Sequence, residues 1–382
     1  MTPMKNTNRN LALVAFMAVV ALPACGISEP REEAAGMQLG AQAQAAPTTP
    51  EPVQPVQPVQ PEPPSLQVSA DLFGVFSASP TEVWAVGAAG TIIHYGAGWS
   101  SEVSPTTQDL RSVWATSDGQ GWAVGAGGTI VHRNGNISWV AALSPTTEDL
   151  YGVWGSSRDS VWAVGSTGII LHWNGASWSV VHSRGAGVLR AVWGTSASDV
   201  WAVGSGKEPD GDYAALLLHW NGTSWTESYV CNPEGTSHAS GGWAAVLSDV
   251  WGAGATVWAA GRCQSGASFI PYGYVAEKVG NSGWGDTAGF GFGQPLGKYR
   301  PLQTIWSSSA SDAWAASASE TVNGAPTPPT MLHWDGTSWT PSTQVDTVGI
   351  NDLGGSAAND IWAVGLGGKR LHYNGTTWSA TP

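Results

Sequence analysis

Along most of the chain, short apolar runs alternate with small polar turns, and one run keeps returning. Asp199-Val200-Trp201-Ala202-Val203-Gly204 has near-copies anchored on Trp84, Trp122, Trp162, Trp258, Trp314 and Trp362. Successive anchors stand 38, 40, 39, 57, 56 and 48 residues apart, so seven units share a basal length near 39 and three carry insertions. A period near ~40 residues marks one blade of a β-propeller or one turn of a solenoid. Within unit four the pattern predicts four strands. Leu189 to Trp193 is the first, and a polar turn ended by Asp199 leads into the second, Val200 to Val203. Leu216 to Trp220 is the third, Asn221-Gly222 gives a hairpin signal, and the fourth starts at Trp225. Strand-one aromatics recur at Phe76, Trp114, Trp154, Trp193, Trp251 and Trp306, with Gly354 in the last unit. Strand-four tryptophans recur at Trp99, Trp139, Trp178, Trp225, Trp284, Trp339 and Trp378.

A four-stranded unit cannot bury both of its faces alone, so neighbours must stack with the aromatics filling the space between them. No unit reads as a polar cap, which favours a closed ring over an open solenoid. The expected fold is all-β: a seven-bladed β-propeller of four-stranded antiparallel blades over residues 66–382. Closure has two readings. Leu66-Gln67-Val68 adds a strand beside Trp378-Ser379-Ala380, or blade seven is complete without it. Composition agrees, since only 11% of residues are charged while Gly (50) and Trp (23) are abundant, which suits short strands and tight turns.

The block from Val161 through Trp162-Ala163-Val164-Gly165, His172-Trp173-Asn174-Gly175 and on to Trp178 resembles the tectonin-type propeller repeat of secreted sugar-binding lectins. The resemblance is one of repeat layout and covers all seven units. Propellers with Asp-box repeats, or resembling photosystem-assembly factors, share much of that layout. Here the turn reads Asn-Gly-x-x-Trp where an Asp-box has Ser-x-Asp-x-Gly-x-Thr-Trp. The tectonin resemblance implies a propeller and, as an expectation, sugar binding.

Residues 1–25 read as an export signal, with Lys5 and Arg9 before the apolar stretch Leu11 to Ala21. Leu22-Pro23-Ala24-Cys25 resembles a bacterial lipobox, which implies lipidation of Cys25; the alternative is a plain secretory signal. Gly26 after it suggests an outer-membrane or cell-surface location. Residues 26–65 read as a disordered Pro/Gln-rich linker whose tract from Pro50 to Pro61 has Pro at nearly every third place. Such a tract extends as polyproline at ~3.1 Å per residue and would hold the propeller off a membrane.

Net charge is −13 with 15 basic residues spread thinly along the sequence, so a phosphate-tracking surface for nucleic acid is not expected. Strand three carries His94, His132, His172, His219, His333 and His372, with Lys278 near the corresponding place in unit five. Equivalent places on different blades lie around a ring, whereas metal ligands converge within ~2–2.5 Å of one point, so a structural role is expected. Glu82, Asp159, Asp199, Asp312 and Asp360 stand at or beside the start of strand two and read as turn residues. No Gly-x-Ser-x-Gly, His-Glu-x-x-His or phosphate loop occurs, and the acids repeat rather than form a unique pair. The expectation is therefore no catalysis and no cofactor, with a polysaccharide hydrolase hidden in the insertions as a remote alternative. Cys231 and Cys263 are read as a disulfide, with free thiols as the alternative; bridged, they would close a loop of about 32 residues worth ~3 kcal/mol. Glu208, Asp210 and Asp212 are weak calcium candidates.

The insertions are the informative departure from the repeat. They fall at 206–213, 227–245, 262–272, 281–300 and 319–329, always in connections from strand two to three or from one blade to the next. Both kinds of connection emerge on the same face of a propeller, so the insertions decorate one sector of one face. They collect aromatics, and Tyr213, Tyr229, Trp243, Arg262, Tyr272, Tyr274 and Tyr299 are the candidate ligand-binding residues, by stacking on sugar rings and bonding hydroxyls. The competing reading is a small core that pins the loops. The function expected is that of an exported, lipid-anchored, monomeric binding protein that takes glycans or a partner protein, with a protein-interaction or envelope-assembly scaffold as the runner-up.

Overall fold

The repeated apolar run is the second strand of every blade, where alternation puts Trp on one face and small aliphatics on the other. In blade 4 it spans Asp199–Lys207 and pairs antiparallel with Val188–Ser196 on its inner side and Tyr213–Trp220 on its outer side. The structure is a computed structural model. It describes residues 66–382 except 136, 184–186, 208–212, 231–244, 264–271, 287–300, 318–319, 323–324, 328–330 and 343–348. The described residues belong to one compact unit, and the leader and Pro-rich linker lie outside them.

Seven antiparallel four-stranded sheets follow one another, spanning 72–101, 110–141, 150–182, 188–230, 246–286, 302–342 and 350–380. The chain is a seven-bladed β-propeller. Insertions continue regular structure where loops are expected, as in blade 5, where Cys263 pairs opposite Tyr272. In blade 4 the hairpin runs on to Lys207 opposite Tyr213, and in blade 6 Glu320–Val322 pairs with Ala325–Thr327 as a separate ribbon.

Seams between blades are built from the repeated aromatics. The strand-two Trp of each blade meets the strand-four Trp of the next edge-to-face: Trp84 with Trp139, Trp122 with Trp178, Trp162 with Trp225, and so on round to Trp362 with Trp99. All seven pairs have centroids 5.1 to 5.9 Å apart and interplanar angles of 76° to 89°. Edge-to-face pairs add ~0.5–1.5 kcal/mol each beyond their burial. On its other face, each of six strand-two tryptophans stacks on the strand-three His of its own blade at 3.9 to 4.3 Å. In blade 5 the residue opposite Trp258 is Glu277, not Lys278; Lys278 lies one place on and points its ammonium towards Trp201 of blade 4.

The ring closes without strand addition. Blade 7 supplies all four of its strands, and residues 66–71 run as an ordinary blade-to-blade connection. Leu66 and Val68 pack against a cluster holding Trp362 and Val364, and Arg370 donates to the Leu66 carbonyl at 2.8 Å. Asp71 accepts the Gly367 N–H at 2.8 Å, just as Asp109 accepts that of Ala89 and Asp149 that of Gly127.

Candidate functional site

The innermost strands share one register, and its successive places build the centre of the molecule. The first place is Leu72, Leu110, Leu150, Leu189, Leu247, Leu302 and Ile350, all buried between blades. Four places later stand the strand-one aromatics. As the sequence suggests, they fill seams, and one pair also meets across the axis. Phe76 of blade 1 lies 6.4 Å from Trp251 of blade 5, and Trp251 lies 6.2 Å from Trp193. These rings narrow the axial channel from below. Glycines make room for them, since a Cβ on Gly155 would stand 2.7 Å from the Trp114 ring and one on Gly252 2.6 Å from Trp193.

Above this floor lies a cup of about 390 Å³. Its mouth is set by the second place of each inner strand: Phe73, Arg111, Tyr151, Arg190, Ser248, Gln303 and Asn351. The chemistry of this place changes from unit to unit. Inner strands begin at the end where blade-to-blade connections arrive, so the cup opens on the face that carries the insertions. Arg262, near the end of the second strand of blade 5, pairs with Val246 and reaches the same mouth.

One wall is cationic. Arg190 is exposed and Arg111 and Arg262 are half-buried, and none of the three forms an ion pair among the described residues. Arg111 lies 5.8 Å from the Phe73 ring centroid and 5.6 Å from that of Tyr151, and its Nε is buried with no hydrogen-bond partner. Burial lowers the Arg190 pKa, and the like charges of Arg262 and Arg111 add to that while Tyr151 opposes it. The guanidinium still remains charged at any physiological pH.

The cup is also lined by two acids at the third place, Asp249 and Asp352, bridged by Thr304. Each is a stitch between blades. Asp249 accepts the N–H of Ile305 and of its own neighbour Val250, both at 2.8 Å. Asp352 accepts Val75 N–H at 2.8 Å and Leu353 N–H at 2.9 Å, and Thr304 itself accepts Leu353 N–H at 3.1 Å. Protein atoms surround both carboxyls although the channel wets part of their surface. That setting pushes both pKa values up, and the Asp249 charge lifts Asp352 further against the pull of its hydrogen bonds. The acids are thus committed to the backbone.

The histidine ring lies on the blades, away from this cup. His94, His219, His333 and His372 stand 3.2, 2.7, 2.7 and 2.8 Å from Glu82, Asp199, Asp312 and Asp360, the acids that open strand two. His172 faces Ser160 at 3.2 Å. Each of these five imidazoles is clamped between a carboxylate or hydroxyl and a Trp face, a packing device repeated by the sequence, and His132 keeps the Trp face alone among the described contacts. His182 ends the fourth strand of blade 3, and His238 lies outside the described residues.

Of the expected ligand-binding residues, Arg262 is the one that the fold brings to the cup. Tyr274 is buried at 6% exposure, and the Tyr229 hydroxyl bonds towards the Lys207 carbonyl at 3.0 Å and Glu227 at 3.1 Å. Those two rings hold their hairpins down, as the small-core reading expects. Tyr213 and Tyr272 begin third strands in blades 4 and 5. Trp243, Tyr299, Glu208, Asp210, Asp212, Cys25 and Cys231 lie outside the described residues. Cys263 is buried at the end of the second strand of blade 5 and is disulfide-bonded. Arg111 and Arg190 escape sequence reading because 79 and 72 residues separate the three arginines in order. Aligning the inner strands would have shown them.

By sequence the chain matches no protein-family model and no curated protein. Solved propellers resemble it in fold. YCF48 bound to D1 peptide aligns with a TM-score of 0.55 at 16% identity, covering 81% of this chain and 95% of that one. YCF48 from Cyanidioschyzon merolae gives 0.56 at 16%, covering 81% and 97%. The GH74 xyloglucanase from Xanthomonas campestris gives 0.56 at 10%, covering 82% of this chain and 53% of the enzyme. Identities this low establish the propeller alone.

Proposed function

We propose that this protein is a non-enzymatic binding propeller that holds a partner protein against its insertion-bearing face. The carrying observation is convergence: the cationic cup opens on the face from which the strand ends that flank every long insertion depart, while the described turns of the opposite face are short. A propeller of similar fold has been solved with a peptide bound, so the architecture suits the task. The acids in the cup hold backbone N–H groups and are not disposed as a hydrolytic pair. Export through residues 1–25, lipidation at Cys25 and a linker over 26–65 would display that face away from a membrane. A bridge from Cys263 to Cys231 would pin the connection into blade 5. Tectonin-like glycan binding through Trp243, Tyr272 and Tyr299 is the competing proposal, and calcium at Glu208, Asp210 and Asp212 would accompany it.

Site-specific photo-cross-linking in cells tests this. A cross-linking side chain at Gln303, on the insertion face, is expected to trap a discrete protein adduct, whereas one at Arg158, in a turn of the opposite face, is not. Equal adducts from both positions, or none at Gln303 alongside a strong glycan-array signal, would overturn the reading.

A further inference from the structure

We infer that the axial cup is a receptor for a single carboxylate carried on a compact apolar body, the chemistry of the last residue of a polypeptide chain. The inference rests on the partner-binding reading and adds the group that the partner presents. Three guanidinium groups from blades 2, 4 and 5 converge on one mouth in a protein of net charge −13, yet no carboxylate of the described residues neutralises them. The two acids of the cup are spent on backbone amides of neighbouring blades. Clustered cations without counter-ions make a focused positive potential, and planar guanidinium forks match a carboxylate.

Shape narrows the choice. Phe76 and Trp251 reach towards each other across the axis and narrow the lower end of the cup, which favours entry as a chain end or a small molecule. Its volume of about 390 Å³ suits one or two residues. Phe73 and Tyr151 line the mouth with rings, and Val75, Val153 and Val192 continue the apolar wall inward. Gln303 and Ser248 offer polar side chains at the rim, and Asn351 keeps an acceptor oxygen while its Nδ2 donates to the Leu72 carbonyl at 2.8 Å. An extended chain end offers matching N–H and C=O groups.

Titration calorimetry on the full protein tests this with three probes: N-acetyl-Ala-Phe as the free acid, the same peptide as its carboxamide, and 3-phenylpropionate. The free-acid peptide is expected to bind with an affinity that falls as salt rises, and the carboxamide at least about tenfold more weakly. Arg190→Ala and Arg262→Ala should each weaken the acid by about tenfold or more, and Arg190→Lys should recover part of that loss. Near-ultraviolet circular dichroism of the Trp-rich ring verifies that each variant is folded. Phenylpropionate binding as tightly as the peptide acid would assign the source to a free small acid; tighter peptide binding assigns it to a chain end. Equal affinity for acid and carboxamide, or no binding of either acid by the folded protein, overturns the inference. If Arg190→Ala abolishes acid binding but leaves the Gln303 cross-link intact, the partner does not use the cup, although the partner reading survives.

Discussion

The hydroxyl of Thr304 lies 3.0 Å from both Asp249 Oδ2 and Asp352 Oδ1, yet it has one proton to give. One of the two acids, when protonated, donates to Thr304 in turn, and in that arrangement the pair holds a proton at pH values where a free Asp has none. The pKa directions agree, with Asp352 pushed up to about 8 by burial and by Asp249. The folded protein then keeps a proton that the unfolded chain releases, so this pair makes stability fall as pH rises from about 4 towards about 8. Half-buried His132 and His172 act in the opposite sense. Burial depresses both, so the unfolded chain takes up protons first and stability falls as pH drops below about 6.5. Urea midpoints across pH 5 to 8 should decline on the alkaline side, and Asp352→Asn should flatten that decline even if it lowers the curve as a whole. An unchanged alkaline slope in the variant would mean that the pair shares no proton. None of this was legible in the sequence, because Asp249, Thr304 and Asp352 look like ordinary strand residues until their register is laid side by side.

At the scale of the element, the inner strand carries two instructions two residues wide. An aromatic in one blade requires a small residue in the next: Trp114 faces Gly155, Trp193 faces Gly252 and Trp306 faces Gly355. Gly155→Ala would set a methyl group against the Trp114 ring at 2.7 Å, and displacing a packed indole should cost ~1–3 kcal/mol. Gly98→Ala, in a turn with nothing within 4 Å, should be close to neutral in the same thermal-melt comparison. Equal losses at both would show that the floor yields freely. The second strand was legible almost to the residue, because Val, Trp, Ala and Val alternate and Gly ends the run. That Gly is fixed by close approach, with a Cβ on Gly125 falling 1.9 Å from the Asp109 carbonyl oxygen. Insertions were less legible, since backbone pairing at Lys207 and Tyr213 continues through residues that read as a loop.

For the molecule as a whole, the last seam carries the tryptophan pair of the other six and shares its remaining contacts with some of them. Trp362 meets Trp99 at 5.4 Å, Asp352 accepts from Val75, and Asp71 accepts from Gly367. A ring closed this way has no special latch. Asp71→Ala, at the closing seam, and Asp109→Ala, at an internal one, should therefore destabilise alike, by ~0.5–1.5 kcal/mol each, read from urea unfolding. A much larger loss at Asp71 would show that closure leans on this contact, and none at all that other contacts carry it. Charge also looks different at this scale. Fifteen basic residues spread thinly in sequence gather three members at the axis.

The repeat, its seven copies, the four-strand layout and the His and Trp ladders were written in the sequence, since each is enforced locally by alternation and turn chemistry and then copied at a fixed period. Which face bears the insertions followed from topology alone. The cup did not. Arg111, Arg190 and Arg262 become neighbours, Phe76 meets Trp251, and Thr304 bridges two acids only when the ring closes and brings seven inner strands to one axis. Periodicity records what each blade has in common; the axis is where the blades differ, and only the closed ring brings those differences into contact.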